Sequence, residues 1–299
     1  MAKREKQNKI FIVTSCFPPV SAVGIHRTVA LCKYLVERDW DVTVITTRPG
    51  AGTSLDERLL DRVPEQVRVV WTASLDMLGV LLRILKPRAI GSNFFRGKGG
   101  DGRVITAGVS RASSFRRMVD WMSWWLHVPD RLIGWLFPAV WTGLREARHR
   151  RPDVIFSTAP KWTCHLVGLV LSRLLHVPWV ADFRDPWCGS SWRKIPYKAH
   201  RWFDSKLEQL ILNNANHISC ATEAINQQLS NRYPHKARMI TTIHNGFDPE
   251  QIDSVKPVSL DNSRCVLLHI GTLYGPRSPV PLLQGLQACL LYTSPSPRD

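Results

Sequence analysis

Two carboxylates and a guanidinium stand within four residues at the end of a short apolar segment. These residues are Asp182, Arg184 and Asp185, and they follow Val180 and Ala181. A carboxylate can orient a hydroxyl group or relay its proton, and a guanidinium can hold a carboxylate or a phosphate. In an open parallel sheet, the ligand crevice lies just beyond the carboxyl ends of the strands. We therefore expect chemistry or recognition at this position, with a plain ion pair at a strand end as the alternative.

The loop that follows residues 10–16 has the composition of a ligand-binding turn. It contains Pro18 and Pro19, which stiffen the exit from the strand, and it leads to Gly24. A glycine permits close backbone approach at the point where a helix begins with free N–H groups. His26 stands in the first turn of that predicted helix. Its imidazole could accept a proton, or it could serve only as a packed or capping side chain.

Two later loops add candidate substrate contacts. Pro160 lies just before Thr163, which is the predicted N-cap of a helix that carries His165. That histidine is open to the same two interpretations as the first one. Asn245 and Gly246 form a turn by composition, after the last of the predicted strands.

Seven short segments rich in Val, Ile and Thr are predicted strands. They are residues 10–16, 41–47, 67–72, 153–158, 179–183, 217–222 and 238–244. Several are nearly continuous apolar runs, which is typical of strands covered by helices on both faces. Helix-like stretches lie between them, at residues 24–39, 163–175 and 197–213. The alternation predicts an α/β protein with a Rossmann-like, doubly wound parallel sheet. The spacing G-x-G-x-x-G is not found in the first loop, which disfavours a hydride-transfer enzyme.

Taken in order along the chain, these motifs resemble a known family. They are residues 13–19 with Gly24, then 42–46, 152–160, 182–187, 222–223 and 245–248. Residues 9–288 resemble the amino-terminal part of a glycosyltransferase of family 4, with the two-domain GT-B fold, of the kind found in bacterial capsule, exopolysaccharide and lipopolysaccharide assembly. The resemblance implies transfer of a hexosyl or related group from a nucleotide-diphosphate sugar to an acceptor hydroxyl. It also implies retention at the anomeric carbon, with neither a required metal nor a cofactor.

The same resemblance implies roles for the residues introduced above. Asp185, or else Asp182, would orient the acceptor or relay its proton, and Arg184 would hold a carboxylate or an approaching phosphate. His165 is a secondary catalytic candidate. The predicted substrate contacts are Gly24, His26, Pro160, Asn245 and Gly246. Gly271 and Arg277 are candidate contacts to the diphosphate, with a turn glycine and a solvated arginine as the alternative.

The domain organisation follows from the resemblance as well. Residues 1–258 form the predicted amino-terminal, acceptor-side domain, with a basic and Trp-rich insertion at about 75–141. Residues 259–288 begin a second Rossmann-like domain for the nucleotide sugar, with its first strand and loop in 265–274. The last eleven residues, 289–299, resemble a translated sequencing adapter, with a natural Ser/Pro-rich tail as the alternative. We therefore expect a truncated chain that is catalytically silent by itself, because the donor-binding domain is only begun.

Charge and aromatic content suggest the partners of the protein. The chain of 299 residues carries a formal net charge of +16, and its basic residues concentrate between positions 83 and 117. The tryptophans that follow are Trp121, Trp124, Trp125, Trp135 and Trp141. A basic loop beside aromatic segments suits an anionic membrane surface, where a lipid-linked acceptor would lie; a Trp-rich core with a solvated basic loop is the alternative. Because no segment has the length of a membrane span, we expect a bacterial cytoplasmic protein bound peripherally to the inner face of the cytoplasmic membrane.

Two other functions fit part of the pattern. A basic chain with interleaved tryptophans could bind a nucleic acid, but such a protein would not need ordered motifs at strand ends. A nucleotide-sugar epimerase of GT-B shape would share the fold and the donor. The seven cysteines form no C-x-x-C pair or histidine cluster, which favours reduced thiols and no structural zinc. The expected partners are therefore a nucleotide sugar and a glycan or lipid-linked acceptor, and no nucleic acid.

Overall fold

The computed structural model describes residues 7–50, 52–77, 121–122, 125–190, 195, 197–248, 266–271, 273 and 278–293. The chain divides into two compact units, Met1–Asp248 and Pro249–Asp299. In the described part of the chain, no helix is both long enough and apolar enough to cross a membrane.

The first unit is built on one parallel sheet. Its strands are Lys9–Thr14 (β1), Asp41–Thr47 (β2), Arg68–Thr72 (β3), Val154–Ala159 (β4), Trp179–Phe183 (β5), His217–Cys220 (β6) and Ile240–Thr242 (β7). The strand order is β3-β2-β1-β4-β5-β6-β7. The predicted Rossmann-like, doubly wound sheet is therefore confirmed, and each predicted strand is present with ends shifted by no more than two residues. The order reverses between β1 and β4, which is where a sheet of this kind opens a crevice for ligands.

Helices cover both faces of the sheet. In the described part of the first unit they include Ile25–Val36 (α1), Leu136–Ala147 (α2), Thr163–Leu175 (α3), Lys198–Asn214 (α4) and Glu223–Arg232 (α5). Three short 3-10 helices lie at Glu57–Arg62, Ile133–Trp135 and Pro234–Met239. The prediction of Thr163 as an N-cap is wrong, because α3 begins at Thr163 itself. Its backbone N–H is satisfied from outside the helix, by the carboxylate of Asp130 at 2.9 Å.

Alternate residues of β1 pack into two separate cores. Ile10 and Ile12 contact the layer that contains Val29 and Cys32 of α1. Phe11 belongs to the other layer, which includes residues of α2, α3, α4 and α5. Side chains alternate between the two faces of a strand, so strands covered on both faces need apolar residues at nearly every position. This requirement explains the continuous apolar runs in the sequence.

Trp135 belongs to the second of these cores. Its side chain is completely buried, and its indole N–H donates to Thr72 Oγ1. This tryptophan was expected on an aromatic surface segment, and the core position corrects that expectation. Residues 133–141, the end of the predicted insertion, form a 3-10 turn and the first part of α2, which packs against the sheet and α3. Trp124 and the basic stretch 83–117 lie outside the described residues.

A row of polar side chains crosses the sheet near its carboxyl edge. Thr14, Thr158, Asp182 and Ser219 occupy paired positions on β1, β4, β5 and β6. All four are buried, with at most 1% of their surface exposed. A buried carboxylate requires hydrogen-bond donors around it, and this row provides part of that environment for Asp182.

The second unit contains the helix Val280–Thr293 (α6). Residues 266–271 and 273, where the first strand of a second domain was expected, have no regular structure. An isolated strand gains little stability without a hydrogen-bonded neighbour. The side chains of Leu268 and Ile270 are almost fully exposed.

Candidate functional site

The Asp182 carboxylate is fully occupied by hydrogen bonds. It accepts from Thr158 Oγ1 at 2.8 Å and from Ser219 Oγ at 2.7 Å, on the two neighbouring strands. Arg27 donates to it twice, from Nη2 at 2.8 Å and from Nε at 3.2 Å. The side chain of Asp182 is 0% exposed, and that of Arg27 is 15% exposed. This residue therefore forms a buried, bidentate ion pair at the centre of the carboxyl edge.

Arg27 also reaches the segment that follows β7. Its Nη1 donates to the Ile243 carbonyl at 2.7 Å and to Asn245 Oδ1 at 3.2 Å. One guanidinium thus joins the first turn of α1, the end of β5 and the loop after β7. Sequence reasoning did not single out Arg27. The sequence signal for Arg27 is its position, since it is a basic residue in the first turn of the helix that follows the β1 loop.

Arg184 is held by two backbone carbonyls at the switch point of the sheet. Its Nε donates to the Ala159 carbonyl at 2.8 Å, and its Nη1 donates to the Gly24 carbonyl. A side chain at Gly24 would clash with this guanidinium, because an added Cβ would lie 2.8 Å from Arg184 Cζ. Gly24 therefore accommodates a side chain of the protein itself. The predicted site residues Gly24 and Arg184 are brought together.

Asp185 differs from Asp182 in its environment. Its side chain is only partly buried, and no described residue donates a hydrogen bond to its carboxylate. Burial raises the pKa of Asp185 above its ordinary value, and the positive charge of Arg184 partly opposes that shift. A carboxylate with free acceptor positions and a raised pKa can accept a hydrogen bond, or a proton, from a bound hydroxyl group.

The loop that carries Asp185 is anchored by a buried glutamate on α4. Glu208 is 0% exposed and accepts from the backbone N–H of Cys188 at 2.8 Å. It also accepts from Arg232 Nη1 at 2.8 Å and from the Tyr233 hydroxyl at 3.0 Å. Burial and the charge of Glu208 raise the pKa of Tyr233, so its phenol stays protonated and remains a donor. Glu208 was also missed at the sequence level, because it looks like an ordinary helical charge.

An aromatic stack supports the same loop. The rings of Trp187 and Trp162 lie parallel, with centroids 5.0 Å apart and an interplanar angle of 5°. Trp187 is 1% exposed, and its indole N–H donates to Asp204 Oδ1 at 3.3 Å. The stack connects the loop after β5 to the loop after β4. Asp185 is therefore positioned by contacts on both sides of its strand end.

His165 lies in the core, away from solvent. Its Nδ1 is 2.8 Å from Ser157 Oγ, which also accepts from the Trp179 indole N–H at 2.8 Å. Because the Ser157 hydroxyl proton then points to Nδ1, we assign the imidazole proton to Nε2. Burial lowers the pKa of His165 to about 3, so the ring is neutral near pH 7. Its catalytic role stays a prediction, and its burial argues for a structural one.

His26 and Pro160 lie in different parts of the crevice region. His26 is exposed and lines an open pocket of about 370 Å³ together with Asp56 and Arg62. The carbonyl of Pro160 accepts from Ser15 Oγ at 3.5 Å, across the switch point between β1 and β4. The next residue, Lys161, is exposed and has a positive φ of 97°, which is unusual for a residue other than glycine. Sequence reasoning did not select Lys161.

The remaining predicted contacts fall in both units. Asn245 and Gly246 are exposed in the loop after β7, and the side-chain Oδ1 of Asn245 accepts a hydrogen bond from Arg27. Gly271 belongs to the second unit and has a φ of 145°, which favours glycine. Arg277 lies outside the described residues. The structure therefore brings Gly24 and Arg184 into contact, and it links Asp182 to Asn245 through Arg27.

Comparison with protein families gives a clear assignment. The family model described as Glycosyltransferase Family 4 matches residues 92–251, which is more than half of the 299-residue chain. The chain therefore belongs to Glycosyltransferase Family 4. A search of the curated proteins finds no match to this chain.

Several solved structures are similar to the chain. They include Anabaena Alr3699/HepE in complex with UDP, at 13% identity and a TM-score of 0.42, with 82% of this chain and 45% of that chain covered. Phytolacca americana UGT2 complexed with UDP-2fluoro-glucose and pterostilbene has 11% identity and a TM-score of 0.43, with 80% and 54% covered. Acinetobacter baumannii MurG has 10% identity and a TM-score of 0.35, with 73% and 42% covered. The chain thus spans about half the length of these structures.

Proposed function

We propose that this chain supplies the acceptor side of a retaining GT-B glycosyltransferase, which transfers a hexosyl or related group from a nucleotide-diphosphate sugar to a glycan. The chain belongs to Glycosyltransferase Family 4. Within it, the position of Asp185 is the observation that carries the proposal. Its carboxylate is partly buried at the carboxyl end of β5, and no described residue donates a hydrogen bond to it. An unoccupied acceptor at a strand end is suited to a substrate hydroxyl group.

In the proposed reaction, Asp185 accepts a hydrogen bond from the acceptor hydroxyl and orients its oxygen toward the anomeric carbon of the donor. The new bond forms between these two atoms. The bond from the anomeric carbon to the diphosphate oxygen breaks, and its electron pair leaves with the nucleotide diphosphate. The hydroxyl proton passes through Asp185 to the departing phosphate oxygen, so the carboxylate is regenerated. Orientation of this kind accounts for a large share of the rate enhancement in transfer reactions.

Arg184 is suited to the negative charge that develops on the leaving group. Its guanidinium donates only to the neutral carbonyls of Ala159 and Gly24 among the described residues. The positive charge of Arg184 is therefore held in a fixed place, and among the described residues no carboxylate accepts a hydrogen bond from it. Fixed donors of this type stabilise developing charge at little reorganisation cost. Lys161, exposed at the neighbouring strand end, adds a second cation.

Asn245 is suited to a hydroxyl of the substrate. Because its Oδ1 accepts from Arg27, the assigned orientation directs the amide NH2 group away from the guanidinium. That amide group can donate to a sugar oxygen. We propose Asn245 as a substrate contact that is fixed by the ion pair of Arg27 with Asp182.

The finer parts of the proposal concern the acceptor and the location. We propose a glycan or lipid-linked acceptor of cell-surface polysaccharide synthesis, used at the inner face of the bacterial cytoplasmic membrane. The net charge of +16 supports this location, because anionic lipids attract basic proteins. In this proposal the reaction uses the nucleotide sugar and the acceptor, with neither a metal nor a cofactor.

The proposal is tested by expressing the natural reading frame that encodes residues 9–288 and incubating its product with radiolabelled UDP-, GDP-, ADP- and dTDP-sugars and bacterial membranes. We expect label from one donor to enter a glycan or lipid fraction, and the product to retain the anomeric configuration by NMR. The 299-residue chain, assayed in parallel, is expected to be silent. Conversion of a nucleotide sugar without any acceptor would indicate an epimerase instead, and no reaction with any donor would contradict the proposal.

A further inference from the structure

Four aromatic side chains form a continuous cluster at the first half of α4. The ring centroids are 6.2 Å apart for Trp121 and Trp125, and 5.9 Å apart for Trp125 and Phe203. The ring centroids of Trp202 and Phe203 are 5.0 Å apart. Three of these side chains are well exposed, at 52% for Trp121, 56% for Trp202 and 43% for Phe203. We call these four residues the aromatic cluster. An exposed apolar patch of contiguous large rings is typical of an interaction surface.

The charges on α4 are divided by sign between its buried and exposed faces. The two acidic residues of the helix, Asp204 and Glu208, are buried at 1% and 0% exposure. The exposed charged residues of the helix are Lys198, Arg201 and Lys206. The ammonium group of Lys206 lies 5.9 Å from the ring centroid of Trp202. The exposed face of α4 therefore presents only cations beside the aromatic cluster.

We infer that the aromatic cluster and the cations of α4 form a docking surface for an anionic lipid bilayer. Tryptophan rings settle at the level of the lipid headgroups, because one part of the ring is apolar and the indole N–H is polar. Each lysine or arginine near an anionic leaflet strengthens the attraction to it. The combination matches a helix that lies in the plane of the membrane surface.

The sign of the charge favours a lipid surface over a second copy of the chain. A symmetric contact between two copies would place the cations of one α4 next to those of the other, and like charges in an interface oppose binding. Leu210 is 41% exposed on the same helix and adds to the apolar surface. A nucleic acid would not cover this leucine, because its phosphate backbone is charged, so a lipid surface fits better than DNA or RNA. The inference specifies the membrane partner of the proposed function, but it does not depend on sugar transfer.

The test is flotation of the 299-residue chain with vesicles of phosphatidylglycerol and phosphatidylcholine, compared with vesicles of phosphatidylcholine alone. We expect the chain to bind the anionic vesicles, and binding to fall at least tenfold in the double variant Trp202→Ser/Phe203→Ser. A triple variant, Lys198→Gln/Arg201→Gln/Lys206→Gln, tests the cations separately and should show a similar loss. Because all five positions are exposed, circular dichroism should show native folding in both variants.

Tyr34→Ser is the matched control. Tyr34 is an exposed aromatic residue of α1, on the other face of the sheet, and Arg38 lies 3.5 Å from its ring centroid. Like Trp202 and Lys206, these two residues are four positions apart in the chain, so loss of the Tyr34 ring measures non-specific effects. We expect binding of the Tyr34→Ser variant to equal that of the unchanged chain.

Three results would overturn the inference. The first is no preference for anionic vesicles, and the second is an equal loss of binding in the control and the α4 variants. The third is a change of oligomeric state, or of DNA binding, that follows the α4 substitutions while vesicle binding persists. Vesicle binding is measured without donor or turnover. Failure of this test is therefore separable from failure of the transferase proposal, which concerns product formation.

Discussion

The Cα atom of Gly24 lies so close to the Arg184 guanidinium that an added Cβ would be 2.8 Å from Arg184 Cζ. The contact joins the start of α1 to the end of β5, across the point where the strand order reverses. It explains why the loop after β1 ends in glycine, and it fixes the guanidinium next to Asp185.

Replacement of Gly24 by alanine should displace the Arg184 guanidinium. We expect a loss of about 1–3 kcal/mol in the free energy of unfolding, since the displaced guanidinium gives up its hydrogen bonds to the Ala159 and Gly24 carbonyls. Urea denaturation measures the loss. Gly246→Ala is the control, because an added Cβ at Gly246 would meet no atom within 4 Å. Equal stability of the two variants would contradict the role given to Gly24.

Asp182→Asn should destabilise the protein far more than removal of a surface ion pair. The substitution leaves the Arg27 guanidinium without its charged partner in a buried site, which costs roughly 3–5 kcal/mol. Asp41→Asn is the matched control, because Asp41 pairs with the half-exposed Arg150. That pair, which lies at the surface through Arg150, should contribute less than about 1 kcal/mol. Similar denaturation midpoints for the two variants would show that the Asp182 pair is not a central stabilising contact.

Glu208→Gln should loosen the loop that carries Asp185. The glutamine amide would turn an N–H group toward one of the three donors that now point at Glu208. We expect increased hydrogen exchange at residues 185–189 and a reduced rate of sugar transfer. Glu223→Gln, at the exposed start of α5, provides the comparison. If exchange in the loop were the same in both variants, the anchoring role of Glu208 would have to be abandoned.

The buried imidazole of His165 should make the free energy of unfolding depend on pH. Its pKa falls from an ordinary value of 6.5 to about 3 in the folded chain, because burial disfavours the charged ring. Between these values the unfolded chain binds a proton that the folded chain does not, so stability decreases as the pH falls through this window. The unchanged chain should lose up to about 1.4 kcal/mol per pH unit more than His165→Phe. Parallel pH profiles for the two proteins would refute this assignment.

The sheet could be predicted from the sequence because its strands carry a local signal. Several strands are nearly continuous apolar runs, and the strand ends identified the edge where Asp182 and Arg184 lie. The partners of these residues could not be predicted, since Arg27 contacts Asp182 across 155 positions in the chain. The same limit hid Glu208, which resembles an ordinary helical charge until α4 packs against the loop after β5.

The tryptophans show a second limit. Trp135 is buried in the core, whereas Trp202 is 56% exposed, although both are large apolar residues next to other apolar residues. Exposure depends on which side of a helix or turn faces the sheet, and that orientation is set by tertiary packing. Composition therefore could not separate the buried tryptophans from the exposed ones.

The most direct measurement is the transfer rate of the enzyme expressed from the reading frame that encodes residues 9–288, with Asp185→Asn. If Asp185 orients the acceptor and relays its proton, the rate should fall by about 10²–10⁴-fold, with little change in the KM of the donor. Burial raises the pKa of Asp185. The transfer rate should therefore fall on the acid side with a pKa above that of an ordinary aspartate, and this fall should disappear in the variant. Asp61→Asn, at an exposed position, is the control. A transfer rate for Asp185→Asn equal to that of this control would contradict the central claim.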